Sequence, residues 1–517
     1  MGWSAVRSRR EILASFVAVG LAVWQNARGS THAAVKAIPP TPTAAPLPSP
    51  TPAVSVTSEP ALGGFDVVIA GGRVIDPETK FDRVTNVGIK RGTIAAINDR
   101  PLAGSKVIDA KDLVVSPGFI DNLSYEPNAY GVWFKIADGV TTTLGMHGLD
   151  GAASSFLNGS TGKFPLHFGG AFDDPWWRAS IGVGAYKSPS ASQISQLVSI
   201  ATRQLRDGWM GIDVEPEYDP GTTFAETLAL AKLAAKHDMP VYSHVRYSDD
   251  VAPGTNLDAI RELIKVGRES GAAVHVDHIN STGGAYTMPE SLDMIAQARA
   301  EGLDVTACIY PYNYWSTFLA SARFDHGWQD RFHITYADLE MPGTGERLTA
   351  ASFDRYRAEN RVVIAHAIPE KDVVTALKSP FVMMGSDTIL VKNEGRHPRG
   401  AGAFSRVLGK YVREEKILTL MDALAKMTIL PAQRVERGAP AMKKKGRLQP
   451  KMDADITIFD PATVIDKATI RDPRQYSHGI EWVLVAGEIV KDPSGMHKDV
   501  LPGKPVFSTL ALDGAAG

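Results

Sequence analysis

One cysteine, Cys308, stands among 517 residues, so no intramolecular disulfide can staple this fold. It lies in the apolar run Val305-Thr306-Ala307-Cys308-Ile309, which suits a core position better than a metal ligand. Excess charge is also missing. Lys and Arg total 55 against 57 Asp and Glu, a net −2, which offers no basic surface for nucleic acid. Long apolar runs are scarce. Ile12–Trp24 is too short to span a bilayer comfortably and fits the h-region of an export signal. No internal repeat is evident. What remains is a globular composition, 44% hydrophobic, long enough for one large barrel with additions.

Arg7, Arg9 and Arg10 precede the apolar run, and Ser8-Arg9-Arg10-Glu11-Ile12-Leu13 resembles a twin-arginine signature. Thr31-His32-Ala33 and Val35-Lys36-Ala37 offer small-residue cleavage sites. Residues 1–34 are therefore expected to be an export signal, placing the mature protein in the periplasm or outside the cell without a stable membrane span. An uncleaved anchor is the alternative. A lipobox cysteine is lacking, which argues against a lipoprotein. Residues 35–60, rich in Pro, Thr, Ser and Ala, cannot bury enough apolar area to fold and read as a linker.

Strand patterns begin at Phe65, and residues 61–115 read as the first part of a small β-sandwich. Between 116 and 440, strands alternate with helices. Eight candidates are Leu113–Asp121, Val140–His147, Phe164–Ala171, Met210–Glu215, Pro240–Val245, Ala273–His278, Leu303–Tyr310 and Phe381–Asp387. That alternation predicts an α/β fold, a (β/α)₈ TIM-like barrel. A long insertion at about 311–380 carries Tyr312, Tyr314, Trp315 and Trp328, which suit either a substrate lid or the packing of a subdomain. Residues 441–497 return to strands and are expected to complete the sandwich from the other chain end. The tail, 498–517, has no readable pattern.

The barrel reading turns on two runs. Val241-Tyr242-Ser243-His244-Val245-Arg246 and Ala273-Val274-His275-Val276-Asp277-His278 each carry an apolar strand into a histidine. Side chains at the C-terminal ends of barrel strands face the active-site mouth, and converging neutral imidazoles suit zinc. Alternation puts Arg246 beside His244, where it could grip a substrate carboxylate or form a structural ion pair.

These residues resemble the amidohydrolase superfamily and, within it, the D-aminoacylase (N-acyl-D-amino-acid deacylase) branch, over roughly residues 65–495. The resemblance is carried by Pro117-Gly118-Phe119-Ile120-Asp121, Asp138-Gly139-Val140-Thr141, Tyr242-Ser243-His244, Asp277-His278, Tyr310-Pro311-Tyr312, Gly385-Ser386-Asp387, His397-Pro398-Arg399 and Ala454-Asp455, in that order. It implies a zinc hydrolase that cleaves the amide of a small N-acyl amino acid. It also implies His244 and His278 as ligands, Asp387 as the general base, and substrate contacts near Tyr310.

Three positions depart from the branch. Its His-x-His pair after the first strand is Leu123 and Tyr125 here, so one metal position is expected to be lost. Its Gly-x-Cys-Gly is Gly145-Met146-His147-Gly148, which keeps a donor as His147. Its lysine after the second histidine is Asn280, which alters carboxylate recognition. Together these predict one Zn²⁺ on His147, His244 and His278, with Glu215 as an additional carboxylate ligand or a structural partner. A binding protein that has lost its chemistry, and a cyclic amide or lactone hydrolase, stand as alternatives.

Overall fold

In the computed structural model, which describes residues 62–252 and 254–515, the eight expected barrel strands all form and run parallel. The stretches expected to be an export signal, 1–34, and a linker, 35–60, lie outside the described residues. The strands are β1 (Phe119–Asp121), β2 (Val140–Gly145), β3 (His167–Gly170, continued by Phe172–Asp173), β4 (Ile212–Val214), β5 (Val241–Ser243), β6 (Val274–Val276), β7 (Val305–Ile309) and β8 (Val382–Met384). Their β-branched residues fit a pleated surface covered on both faces. Thr-led capping boxes start the helices Phe224–Lys236 and Asn256–Ser270. Gly271, at φ 75°, ends the second in the left-handed conformation that glycine adopts without a Cβ clash. The seam between β8 and β1 closes where the Asp387 amide donates to the Leu123 carbonyl at 2.8 Å.

The two ends of the chain build one nine-stranded sheet. Its long strand Leu62–Asp76 pairs with Phe81–Lys90, Leu102–Asp109 and Val114–Pro117. The ends meet where Val114–Pro117 pairs antiparallel with Ile456–Phe459. Val67, Ile69, Val74, Ile89, Ile456 and Leu484 lie in its buried core.

A buried polar joint ties this sheet to the barrel. Asp455 accepts from Lys445 Nζ at 2.7 Å and from the Ala486 amide at 2.8 Å, and lies 3.1 Å from His167 Nε2. Burial disfavours the Asp455 charge, but Lys445 and His167 outweigh it and hold the carboxyl far below the usual 3.8. A depressed folded-state value means this stabilisation is full above the ordinary carboxylate range and fades as pH falls below it. We expect Asp455→Asn to cost about 3 kcal/mol, since it strands a buried Lys445 that keeps only Asp453. The loss should show as a lowered urea midpoint at pH 7 and shrink toward pH 3.

The insertion is a subdomain of helices around a three-stranded antiparallel sheet, Trp315–Phe318, Leu339–Glu340 and Val362–Ala365. Trp315, Phe324, Trp328, Phe332 and Phe353 are buried against one another in its core. These aromatics therefore pack the subdomain, the second of the two roles open to them from sequence. The unreadable tail has a place as well. The Val506 amide donates to Phe168 O at 2.8 Å, and helix Thr509–Ala515 follows. No helix among the described residues is long and apolar enough to cross a membrane.

Candidate metal centre

His147, His244 and His278 come from the ends of β2, β5 and β6, and all three are buried. Each offers a ring nitrogen, and these nitrogens lie within 4.8 Å of one another. His278 follows Asp277 directly, so simple alternation would turn it outward. The strand has already ended at Val276, and with a φ of 27° His278 brings its Nε2 to 3.2 Å from His244 Nδ1. Two nitrogens at zinc–nitrogen distance from one tetrahedral ion are about 3.3 Å apart. The spacing therefore fits a shared cation.

Electrostatics prepare the same donors. Burial lowers the pKa of both His244 and His278, and for His278 the neighbouring imidazoles and Arg399 lower it further. Both rings are thus neutral, with a lone pair to give. Glu217 Oε2 lies 2.6 Å from His244 Nε2 and accepts its N–H, which leaves the Nδ1 lone pair free for a metal. Glu217 is held in turn by Ser248, by Arg331 at 3.2 Å and by Arg323 at 3.7 Å. Despite burial, these partners pull its carboxyl down to about 2. Carboxylates that orient a metal-bound histidine typically contribute 10–100-fold to affinity. We expect Glu217→Gln to weaken zinc binding by about that factor, read by competition with a chelator at fixed pH.

His147 sits against an acidic wall. Its Nδ1 is 3.1 Å from Glu215 Oε1, 3.6 Å from Asp213 Oδ2 and 4.0 Å from Asp277 Oδ2. Burial pulls the imidazole down, but Glu215 and Asp213 outweigh it and hold its pKa well above 6.5. Burial and Glu215 push Asp213 up to about 7. Carboxylate groupings are also on hand: His147, Asp213 and Asp277, and separately Asp173, Asp213 and Glu215, bring ligand atoms within 4.8 Å of one another. Glu215 thus reaches the centre, in contact with a histidine rather than off in a distant salt bridge.

Asp387 follows β8, with Oδ2 3.7 Å from His278 Nε2 and 2.7 Å from Arg399 Nη2. Arg399 stacks 4.1 Å from the Tyr310 ring centroid, and its Nε and Nη1 are buried without a hydrogen-bond partner among the described residues. Tyr310 therefore lines the centre beside an underused cation. At the two vacated positions, Leu123 is buried apolar core and Tyr125 sets its ring edge-on to His147 at 5.3 Å. Burial and Asp387 drive the Tyr125 hydroxyl well above 10, so it stays a neutral phenol.

Two expected substrate contacts are engaged elsewhere. Arg246 donates to both oxygens of Glu262, at 2.8 and 2.9 Å, and to Thr222 O. Strand β5 ends at Ser243, so alternation no longer governs Arg246, and the structural ion pair is the role it takes. Asn280 donates from Nδ2 to the carbonyls of Tyr310 and Tyr312, bracing the loop after β7 instead of presenting a donor to a ligand. Cys308 is buried and accepts the His278 amide at 3.2 Å.

In the sequence Glu217 stands only as a carboxylate two residues beyond Glu215, and Arg399 has no role beyond closing the run His397-Pro398-Arg399. Glu217 could be recognised as a histidine partner only once its loop was folded. Arg399 was nearer to hand, as an arginine shortly after a strand-ending carboxylate.

A barrel closed on a histidine and carboxylate centre at its strand ends defines a metal-dependent hydrolase of the amidohydrolase type. The amidohydrolase family model matches residues 202–491, and the chain belongs to that family. It is 33% identical over 466 residues to the N-acyl-D-glutamate deacylase of Alcaligenes xylosoxydans xylosoxydans, covering 82% of this chain and 93% of that one. A solved N-acyl-D-glutamate deacylase from Bordetella bronchiseptica, in complex with zinc and a phosphonate inhibitor, superposes at TM-score 0.73 with 27% identity, over 86% of this chain and 99% of that one. A D-aminoacylase with a binuclear metal centre, activated by one metal and attenuated by a second, superposes at 0.73 with 26% identity, over 86% and 100% of the two chains.

Proposed function

We propose that this protein is an exported, zinc-dependent deacylase that hydrolyses the amide of N-acyl-D-amino acids. The carrying observation is the 3.2 Å approach of two neutral imidazole nitrogens beside a third histidine and the side chain of Asp387. A zinc bound by His147, His244 and His278 supplies Lewis acidity toward the acyl carbonyl and lowers the pKa of a water to about 7. Around it the chain's own residues do the rest. Asp387 takes the proton of the attacking water as its oxygen bonds to the acyl carbon. The C–N bond then breaks, and Asp387 returns that proton to the amine nitrogen. Arg399, whose Nε and Nη1 have no hydrogen-bond partner among the described residues, receives the carboxylate of the amino acid. One zinc suffices, because Leu123 cannot ligate and Tyr125 keeps its proton.

Elemental analysis of the purified protein, paired with a panel of N-acetyl-D- and N-acetyl-L-amino acids, tests this directly. We expect about one zinc per chain and turnover confined to the D series. Carboxamide analogues should lose about 10–100-fold in kcat/KM through the missing charge-assisted bonds. A zinc-free protein inert toward every amide would favour a binding role instead.

A further inference from the structure

We propose that Lys135, Asp121 and Ser386 form a clamp that positions Asp387 against the metal centre, a role resting on Asp387 as the proton carrier. Lys135 lies in helix Val132–Ala137 with its side chain only 2% exposed. Burying an ammonium is costly unless every proton finds a strong acceptor. All three of its protons do. Nζ donates to Asp121 Oδ2 at 2.6 Å, to Thr388 O at 2.7 Å, and to Ser386 Oγ.

Asp121 completes the clamp from the end of β1. Its Oδ1 accepts the Ser386 amide at 2.8 Å, and its Oδ2 accepts the Ser386 hydroxyl at 2.6 Å. The residues immediately before and after Asp387 are thus both fixed to one buried ion pair. Asp387 needs that restraint. Its φ of 51° is left-handed, a conformation that costs a non-glycine residue about 1–2 kcal/mol and persists only where the surroundings impose it. Its amide is pinned to Leu123 O, so the carboxylate leaves a backbone held at three consecutive residues.

Two variants of the full, zinc-loaded chain test this. Ser386→Ala removes one tether with little change in volume. Lys135→Met combined with Asp121→Asn removes both charges together, leaving no buried ion unpaired. Misplacement of a reacting group by about 1 Å can cost 10²-fold. We expect kcat to fall about 10-fold in the first and about 100-fold in the second, with zinc content and KM held near wild type. Crystal structures of both should show the Asp387 carboxylate displaced from its place 3.7 Å from His278. Unchanged kcat in both variants, or an Asp387 that stays in place, overturns the proposal. If the wild-type protein hydrolyses no acylated amino acid, the functional reading fails, and the position of Asp387 in the two crystal structures still decides the clamp.

Discussion

Replacing His244 with alanine is expected to strip the ion from the purified protein and lower kcat/KM by about 10⁴-fold or more. His244 contributes one of three ring nitrogens within 4.8 Å of one another, and its Nδ1 sits 3.2 Å from His278 Nε2. Two imidazoles without the third leave an open, water-filled coordination sphere and a weak site. The variant also leaves Glu217 buried with one partner fewer, although Arg323 and Arg331 remain on it. Thermal melting should accompany the assay, and His278→Ala serves as a second variant that spares Glu217. Full zinc occupancy in both, measured by elemental analysis, would remove the histidine trio from the account.

The second large effect falls on the proton carrier. Asp387→Asn is expected to reduce kcat by about 10²–10⁴-fold, the range over which a positioned general base contributes. Zinc content should be unchanged, because the three histidines are untouched. Asparagine keeps the shape and can still accept from Arg399, which lies 2.7 Å from the present carboxylate. It cannot accept and return a proton. The pairing of intact metal with lost turnover separates this result from that of His244→Ala. A variant that retained more than half the wild-type kcat would assign proton transfer elsewhere in the acidic wall, with Asp213 and Glu215 next to be tested.

Much of this architecture is legible in the chain because its signals are local. Most of the eight barrel strands carry apolar β-branched residues ahead of a helix, and all but β3, which runs on through Phe172–Asp173 beyond Ala171, lie wholly inside their expected ranges. His244 is legible for the same reason, as a polar residue closing an apolar strand, whereas Asp387 enters through the resemblance to the D-aminoacylase branch. What failed to show in sequence depends on where strands stop. Arg246 follows a strand that ends at Ser243, so its predicted facing had no basis in the folded chain. His278 is expected at the centre and is found there, but its route, through a φ of 27°, follows no alternation rule. The insertion's sheet pairs Trp315–Phe318 with Val362–Ala365 across a long loop, and such distant pairing leaves no local trace. Asp455 was quoted as part of a motif, but its partners Lys445 and His167 meet it only after both chain ends have come together.

That meeting has a consequence for how the molecule is made. Val114–Pro117 leaves the ribosome early, yet its neighbour Ile456–Phe459 follows only after the whole barrel has been synthesised. Until then an apolar strand edge waits without a partner, and such edges invite association between nascent chains. Final assembly is thus deferred until translation is nearly done. Refolding from denaturant should accordingly show a slow last phase, the docking of the second terminus, with yields that fall as protein concentration rises.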